Sequence, residues 1–292
     1  MGTAAAVNRN DARRRENADP LVWLKVLIVV ALIAGLYSFI LPDLAWEWWT
    51  IDASSYGMLI PPIVLYLAWI RRQDILAIPA QSDNRGLALV AAACVIFLIG
   101  QLAAEFFLAR ISFVLLLAGL TWTFWGFGRL RAVAFPFVLL LTMVPLPGLV
   151  YNLVAAPLQL LASSAATDIA QFLGVSIYRD GNIIHLATTS LGVAEACSGL
   201  NSLSSLVVGS LLLGYLEDAS IPGRILLTLL SVPLAIVVNV IRVAGAAVLA
   251  DYRPEFSMGF YHLFSGWLIF VFGFGMLWLL GKLIFRITGK RS

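Results

Sequence analysis

The sequence predicts an all-α polytopic membrane protein of about eight transmembrane helices, with a short extended extracytoplasmic segment before the sixth. Two observations carry this. Of 292 residues, 61% are hydrophobic and only 12% charged, more apolar surface than a soluble core of this size needs. The apolar residues also fall in long runs, about eight of them near the roughly 20 residues that a span requires. The formal net charge of +3 comes from basic residues at the ends of these runs. That pattern reports topology and excludes a nucleic-acid partner, which would need a basic patch or stripe. With two cysteines and no Cys-x-x-Cys or His-rich spacing, neither a metal, a cofactor nor a disulfide framework is expected.

Residues 1–20, which include Arg13, Arg14 and Arg15, read as a cytoplasmic tail, 21–286 as one transmembrane domain, and 287–292 as a basic cytoplasmic tail. The first apolar run, about 25–41, reads as an uncleaved anchor. Residues 43–56 carry Asp43, Glu47 and Asp52 among Trp46, Trp48 and Trp49, and read as an acidic outer loop with an interfacial aromatic belt. The second span stops at Arg71 and Arg72, which should be cytoplasmic. The third covers about 86–104, with Cys94 expected buried and inert near its middle. Glu105 and Arg110 bracket an outer turn, and Arg129 and Arg131 return the chain to the cytoplasm after the fourth span. The fifth, about 132–146, ends at Pro145 and Pro147 and can be completed through Tyr151.

Residues 152–174 differ in kind. Asn152, Gln159, Ser163, Thr167 and Gln171 recur at helical spacing beside Asp168, so this helix either lies in the interface or walls a wet groove. Residues 175–190 read as an outer hairpin-like excursion holding His185, a surface residue. The last three spans cover about 191–216, 225–251 and 258–285. Both termini then lie inside, and the positive-inside rule holds at every inner turn except 217–224, where only Arg224 contributes.

Chemistry concentrates at Glu195-Ala196-Cys197-Ser198-Gly199-Leu200-Asn201. These small residues either let two helices pack closely or frame a thiol nucleophile. The topology puts Cys197, Arg242 and His262 at about 8, 14 and 6 Å from the outer surface, at about 1.5 Å per residue. Arginine can close the difference by snorkelling. An arginine inside a span costs about 2.5 kcal/mol or more. Arg242 therefore either stabilises developing negative charge or serves structure, paired with Glu195 or bonded to Asn239 one turn away. His262 is an interfacial residue or a general acid/base.

Val193-Ala194-Glu195-Ala196-Cys197-Ser198-Gly199-Leu200, Asn239-Val240-Ile241-Arg242-Val243 and Phe260-Tyr261-His262-Leu263-Phe264-Ser265-Gly266-Trp267 stand in the order found in exosortases. The chain resembles the exosortase/archaeosortase family, and Gly181-Asn182-Ile183-Ile184 extends the likeness. The resemblance implies a cysteine protease/transpeptidase of the bacterial inner membrane with its site facing the periplasm. Its substrates would be membrane-anchored proteins with C-terminal sorting signals of the PEP-CTERM kind. Its acceptor would be an unidentified group, lipid- or polysaccharide-linked among the candidates, and membrane lipids would surround it. Cys197 would be the nucleophile, Arg242 the cation and His262 the acid/base, with Glu195, Asn239, Ser198, Gly199 and Asn201 in support. Two positions depart from the family pattern. Asn201 stands where many members have arginine, and Tyr56-Gly57 where many have His-Gly. From a different class, Arg242, Glu195 and Asn239 could form the polar pathway of a transporter or lipid-binding protein; a non-catalytic assembly factor for exported polysaccharide is a third reading.

Overall fold

The computed structural model describes residues 20–187, 189–193, 200–253, 255 and 259–289; the side chains of 20–22, 52, 53, 200, 201 and 259–263 fall outside that description. Contacts divide the chain into two units, residues 1–45 and 46–292.

The first unit holds α1 (Pro20–Leu36) and the start of α2 (Ile40–Thr50). The pair passes the length and apolarity test for a span only together, bent by 59° at the break.

In the second unit, a 3₁₀ segment (Asp52–Leu59) leads into α3 (Ile60–Ile70) and α4 (Arg72–Ala77). Residues 43–56 are thus largely helical, not a loop. The tryptophans explain part of this: the Trp48 indole donates to the Met143 carbonyl at 3.0 Å. It lies so close over Gly57 that any Cβ there would collide with the ring.

Helices α5 (Gly86–Leu102) and α6 (Phe106–Trp125) form an antiparallel hairpin. Small residues let the backbones approach: a Cβ on Gly100 would stand 2.7 Å from the Ala109 nitrogen, and one on Gly119 2.9 Å from Val90. Cys94 is exposed, not buried, on the face of α5 that the described residues leave uncovered. Arg110 is not part of the outer turn; it sits in the second turn of α6, where its Nη1 meets Glu47 Oε2 at 2.6 Å.

Then come α7 (Phe127–Ala132), α8 (Ala134–Leu141) and α9 (Gly148–Phe172). The expected fifth span is only the eight-residue α8. Pro145 and Pro147 each lack an N–H and break the path, and the helix restarts at Gly148 with Tyr151 N–H bonding the Pro147 carbonyl at 2.8 Å. The long membrane-length helix is α9, which carries the polar stripe.

That stripe docks a three-stranded antiparallel sheet, β1 (Ile177–Asp180), β2 (Ile183–Leu186) and β3 (Ser190–Gly192), in order β1-β2-β3. Gln171 Nε2 donates to the Ile177 carbonyl at 2.9 Å, Ser163 Oγ to Gly181 at 3.1 Å, and Gln159 Oε1 accepts from Asn182 at 3.3 Å. The sheet's inner side chains, Ile177, Ile184 and Leu186, share one buried cluster with Ala162, Ala166 and Ala170 of α9. His185 remains on the exposed side, stacked on Tyr178.

Helices α10 (Leu200–Leu216), α11 (Ile221–Tyr252) and α12 (Gly259–Thr288) run up, down and up beside one another, with Leu206, Leu227, Ala235, Leu277 and Ile284 in one core cluster. The turn from α10 to α11 carries the charges that sequence reading left unbalanced. Glu217 takes Lys282 Nζ at 3.0 Å, and Asp218 takes Arg71, whose guanidinium also lies 4.3 Å above the Tyr215 ring. The acids of the turn that broke the expected charge pattern are paired with cations from two distant parts of the chain.

Four helices, Phe106–Trp125, Gly148–Phe172, Ile221–Tyr252 and Phe264–Thr288, are long and apolar enough to cross a membrane, five if the bent pair counts as one. Ser54–Ile70, Gly86–Leu102 and Ser202–Leu216 are apolar but shorter. Among the described residues this gives four to five candidate spans by length and composition.

Candidate active site

Arg242 sits in the second half of α11, half-buried, with its guanidinium laid against α12. The contact is at Gly266, where a Cβ would come within 2.8 Å of Arg242 Nη2 and 3.1 Å of its Cζ. Only a glycine leaves this space. Nε of Arg242 is fully buried and has no hydrogen-bond partner among the described residues. Asn239, one turn earlier, is 3% exposed and lies in the same bundle interior.

A packing layer sets the depth. A Cβ on Gly273 of α12 would stand 3.2 Å from Val238 of α11 and 3.7 Å from Leu206 of α10. Moving away from the Glu217 end, Arg242 is four residues beyond that layer, Leu200 six and Gly266 seven. At about 1.5 Å per residue the three fall within roughly 5 Å of one level. The guanidinium thus stands level with the first turn of α10, the turn that follows Cys197 by three residues. His262 precedes Gly266 by four residues in the sequence of α12.

The other approach to Cys197 is fixed by the sheet. Val193 N–H donates to the Asn182 carbonyl at 2.8 Å, and Val193 belongs to the buried cluster that includes Val243, the neighbour of Arg242. Val193, before the cysteine run, is anchored in that cluster, and Leu200, after it, opens α10. Glu195, Cys197, Ser198 and Gly199 themselves, and the side chains of Asn201 and His262, lie outside the described residues.

A polar cavity of about 280 Å³ opens at the same end of the bundle, lined by Glu47, Ser54, Tyr56, Tyr151, Asn152 and Ser204 among others. Tyr56 is hydrogen-bonded to Ser204, while the Tyr151 hydroxyl is buried without a partner among the described residues. Sequence reading did not assemble this cavity. Its parts come from four separate segments, and the signal that was present, the Tyr56-Gly57 departure, gives no hint of the Ser204 contact. Asn201, the other departure, precedes Ser204 by three residues in the sequence of α10.

The transmembrane exosortase family model matches residues 48–279. The chain belongs to the exosortase family. The match begins at Trp48, whose indole closes over Gly57, and ends within α12, so it covers the second unit almost entire. No curated protein and no solved structure matches the chain. As an exosortase it is a membrane protein with several apolar helices, and the three motif segments named from sequence all fall inside the matched range.

Proposed function

We propose that this exosortase is a cysteine transpeptidase that cleaves C-terminal sorting signals of exported proteins at the outer face of the inner membrane. The observation that carries the reading is the Arg242 guanidinium, held by Gly266 at the level of the turn after Cys197 and one turn from His262. A buried guanidinium N–H without an acceptor is costly. An anion forming beside it removes that cost, which is the arrangement a reaction with developing negative charge uses.

In this reading the Cys197 thiolate attacks the scissile carbonyl and the negative charge moves to oxygen beside Arg242. The C–N bond then breaks while His262 hands a proton to the departing amine. The resulting thioester is attacked by an acceptor hydroxyl or amine, or by water; its C–S bond breaks, the thiolate returns, and the nucleophile's proton passes to His262. Glu195, Ser198, Gly199, Asn201 and Asn239 support the site. The Glu217 end, with Arg71, Arg224 and Lys282, faces the cytoplasm by the positive-inside rule, which turns the Arg242 end to the periplasm. Helix α5 pairs with α6 along its length, Gly86 beside Thr123 and Gly100 beside Ala109. On this reading α5 crosses the membrane together with α6.

The test is processing of a substrate from the same genome, followed by immunoblot at matched expression in wild type, Cys197→Ala and Cys197→Ser. Loss of the cleaved form in both variants is expected. Unchanged cleavage would remove the thiol from the chemistry and favour a transport pathway through Arg242, Glu195 and Asn239.

A further inference from the structure

The cavity between α2, the 3₁₀ segment, the Pro145–Pro147 break and α10 is not used by the mechanism above. Its lining has a definite chemical character. Four hydroxyls (Ser54, Tyr56, Tyr151, Ser204) and the Asn152 amide share about 280 Å³ with an apolar wall of Ile51, Pro145 and Leu146, a mixed surface that suits the polar rim and apolar face of a sugar ring, close to the lower end of small-molecule pockets at about 300 Å³. The one charged group in the lining is Glu47, and its Oε2 is already taken by Arg110 at 2.6 Å. The pair is close to neutral in sum, and the guanidinium points at the carboxylate from α6 and does not line the space. A carboxylate or phosphate entering here would meet Glu47 and no free cation. A large apolar group would strand the buried Tyr151 hydroxyl, which has no partner among the described residues. What fits is a neutral group that both donates and accepts several hydrogen bonds.

We propose that this cavity is a subsite for a neutral polyol, a sugar ring or the sugar headgroup of a lipid, presented as the acceptor. The proposal rests on the transpeptidase reading for that last step alone. Ser204 is the fifth residue of α10, and Cys197 precedes that helix by three residues. At about 1.5 Å per helical residue and at most about 3.6 Å per extended one, thiol and subsite belong to one short stretch of chain. A polyol held by Tyr151, Asn152 and Ser204 can offer a hydroxyl to the thioester: the new C–O bond forms, the C–S bond breaks, and the hydroxyl proton leaves through His262. The pocket's neutrality also excludes it as the seat of an acidic residue of the sorting signal.

Binding is measured apart from chemistry, on the full chain carrying Cys197→Ala, in phosphatidylcholine nanodiscs. One arm adds free galactose; the other replaces part of the lipid by monogalactosyl diacylglycerol. The thermal midpoint should rise and saturate in at least one arm, and which arm responds identifies the soluble or the lipid-borne source. Tyr151→Phe and Ser204→Ala, which each remove one hydrogen bond, should weaken that binding about two- to tenfold. Acetate and inorganic phosphate should leave the midpoint unmoved. No shift with either sugar, or equal shifts in wild type and both variants, overturns the subsite. A sugar shift together with undiminished substrate processing by Cys197→Ala keeps the polyol site but overturns its role as acceptor, which separates failure of this inference from failure of the transpeptidase reading.

Discussion

Replacing Gly266 by alanine tests whether Arg242 is a placed cation or merely a buried one. The new Cβ would stand 2.8 Å from Nη2, and ordinary contact begins near 3.4 Å, so the guanidinium must retreat by about 0.6 Å. The obstacle is the far end of a flexible side chain, so the fold can yield at little cost. Alanine also gains up to about 1 kcal/mol of helix propensity over glycine, and thermal stability should be nearly unchanged. The reaction should respond differently. Misplacement by about 1 Å, or loss of one donor aimed at a developing charge, costs on the order of 10²-fold, so processing should fall about 10- to 100-fold. The assay pairs the initial rate of substrate cleavage in isolated membranes with the unfolding midpoint of the purified protein. In a double-mutant cycle, Gly266→Ala should add little to Arg242→Lys, because the shorter ammonium no longer rests on Gly266. A wild-type cleavage rate at wild-type stability would refute the idea that Gly266 positions Arg242. A loss of rate that matches a loss of folded protein would show a packing role only.

The Glu47–Arg110 pair is mostly buried, with side chains 23% and 8% exposed. Glu47→Gln or Arg110→Met alone should cost about 3 kcal/mol or more, whereas removing both charges together should cost much less; thermal unfolding of the three variants checks this. Asp83 accepts hydrogen bonds from the Arg85 N–H at 3.0 Å and the Trp122 indole at 2.9 Å, which hold its carboxyl below the usual carboxylate range. Its stabilisation is therefore present above the unfolded value of about 3.8 and is lost as pH falls through the lower folded value. Asp83→Asn should lower stability at neutral pH, make little difference below the folded value, and so flatten the acid limb of a stability–pH curve. Gly100→Val should force α5 from α6, whose Ala109 nitrogen is 2.7 Å from the new Cβ; a loss of about 1–3 kcal/mol is expected. Asn182→Ala removes a side chain shared by Gln159 and the Val193 carbonyl, and should slow processing by loosening the approach to Cys197, read as a fall in cleavage at constant expression.

Much of this was legible in the sequence because apolar runs, capping prolines and terminal charges act locally. The hairpin at 175–190 was expected from Arg179-Asp180-Gly181-Asn182, and it forms with Gly181 at φ +60° in its turn. The order of the three motif segments was legible directly, and all three fall inside the range that the family model matches. The polar stripe of α9 was visible, but its purpose was not: periodicity shows that Gln159, Ser163 and Gln171 share a face, and cannot show that a strand's carbonyls and a turn's amide will sit opposite. The stop of the fifth run at Pro145 and Pro147 was legible, but not that the chain would start a separate long helix at Gly148 in place of completing the short one. Cys94 was misjudged for a related reason, since the middle of an apolar helix says nothing about which face meets protein and which meets lipid. The Glu47–Arg110 pair joins residues far apart in the chain, and no local pattern announces it.

The two ion pairs at the Glu217 end join segments made at very different times. Arg71 and Asp218 are separated by 147 positions, and Glu217 and Lys282 by 65. During synthesis Arg71 and Arg72 emerge first and can fix the orientation of the early helices unopposed. The acids of the α10–α11 turn arrive later, and Glu217 must wait for the last helix before its own cation exists. A ribosome that stops short of α12 leaves that carboxylate bare beside the membrane, so completion of the chain is written into the charge balance of a single turn.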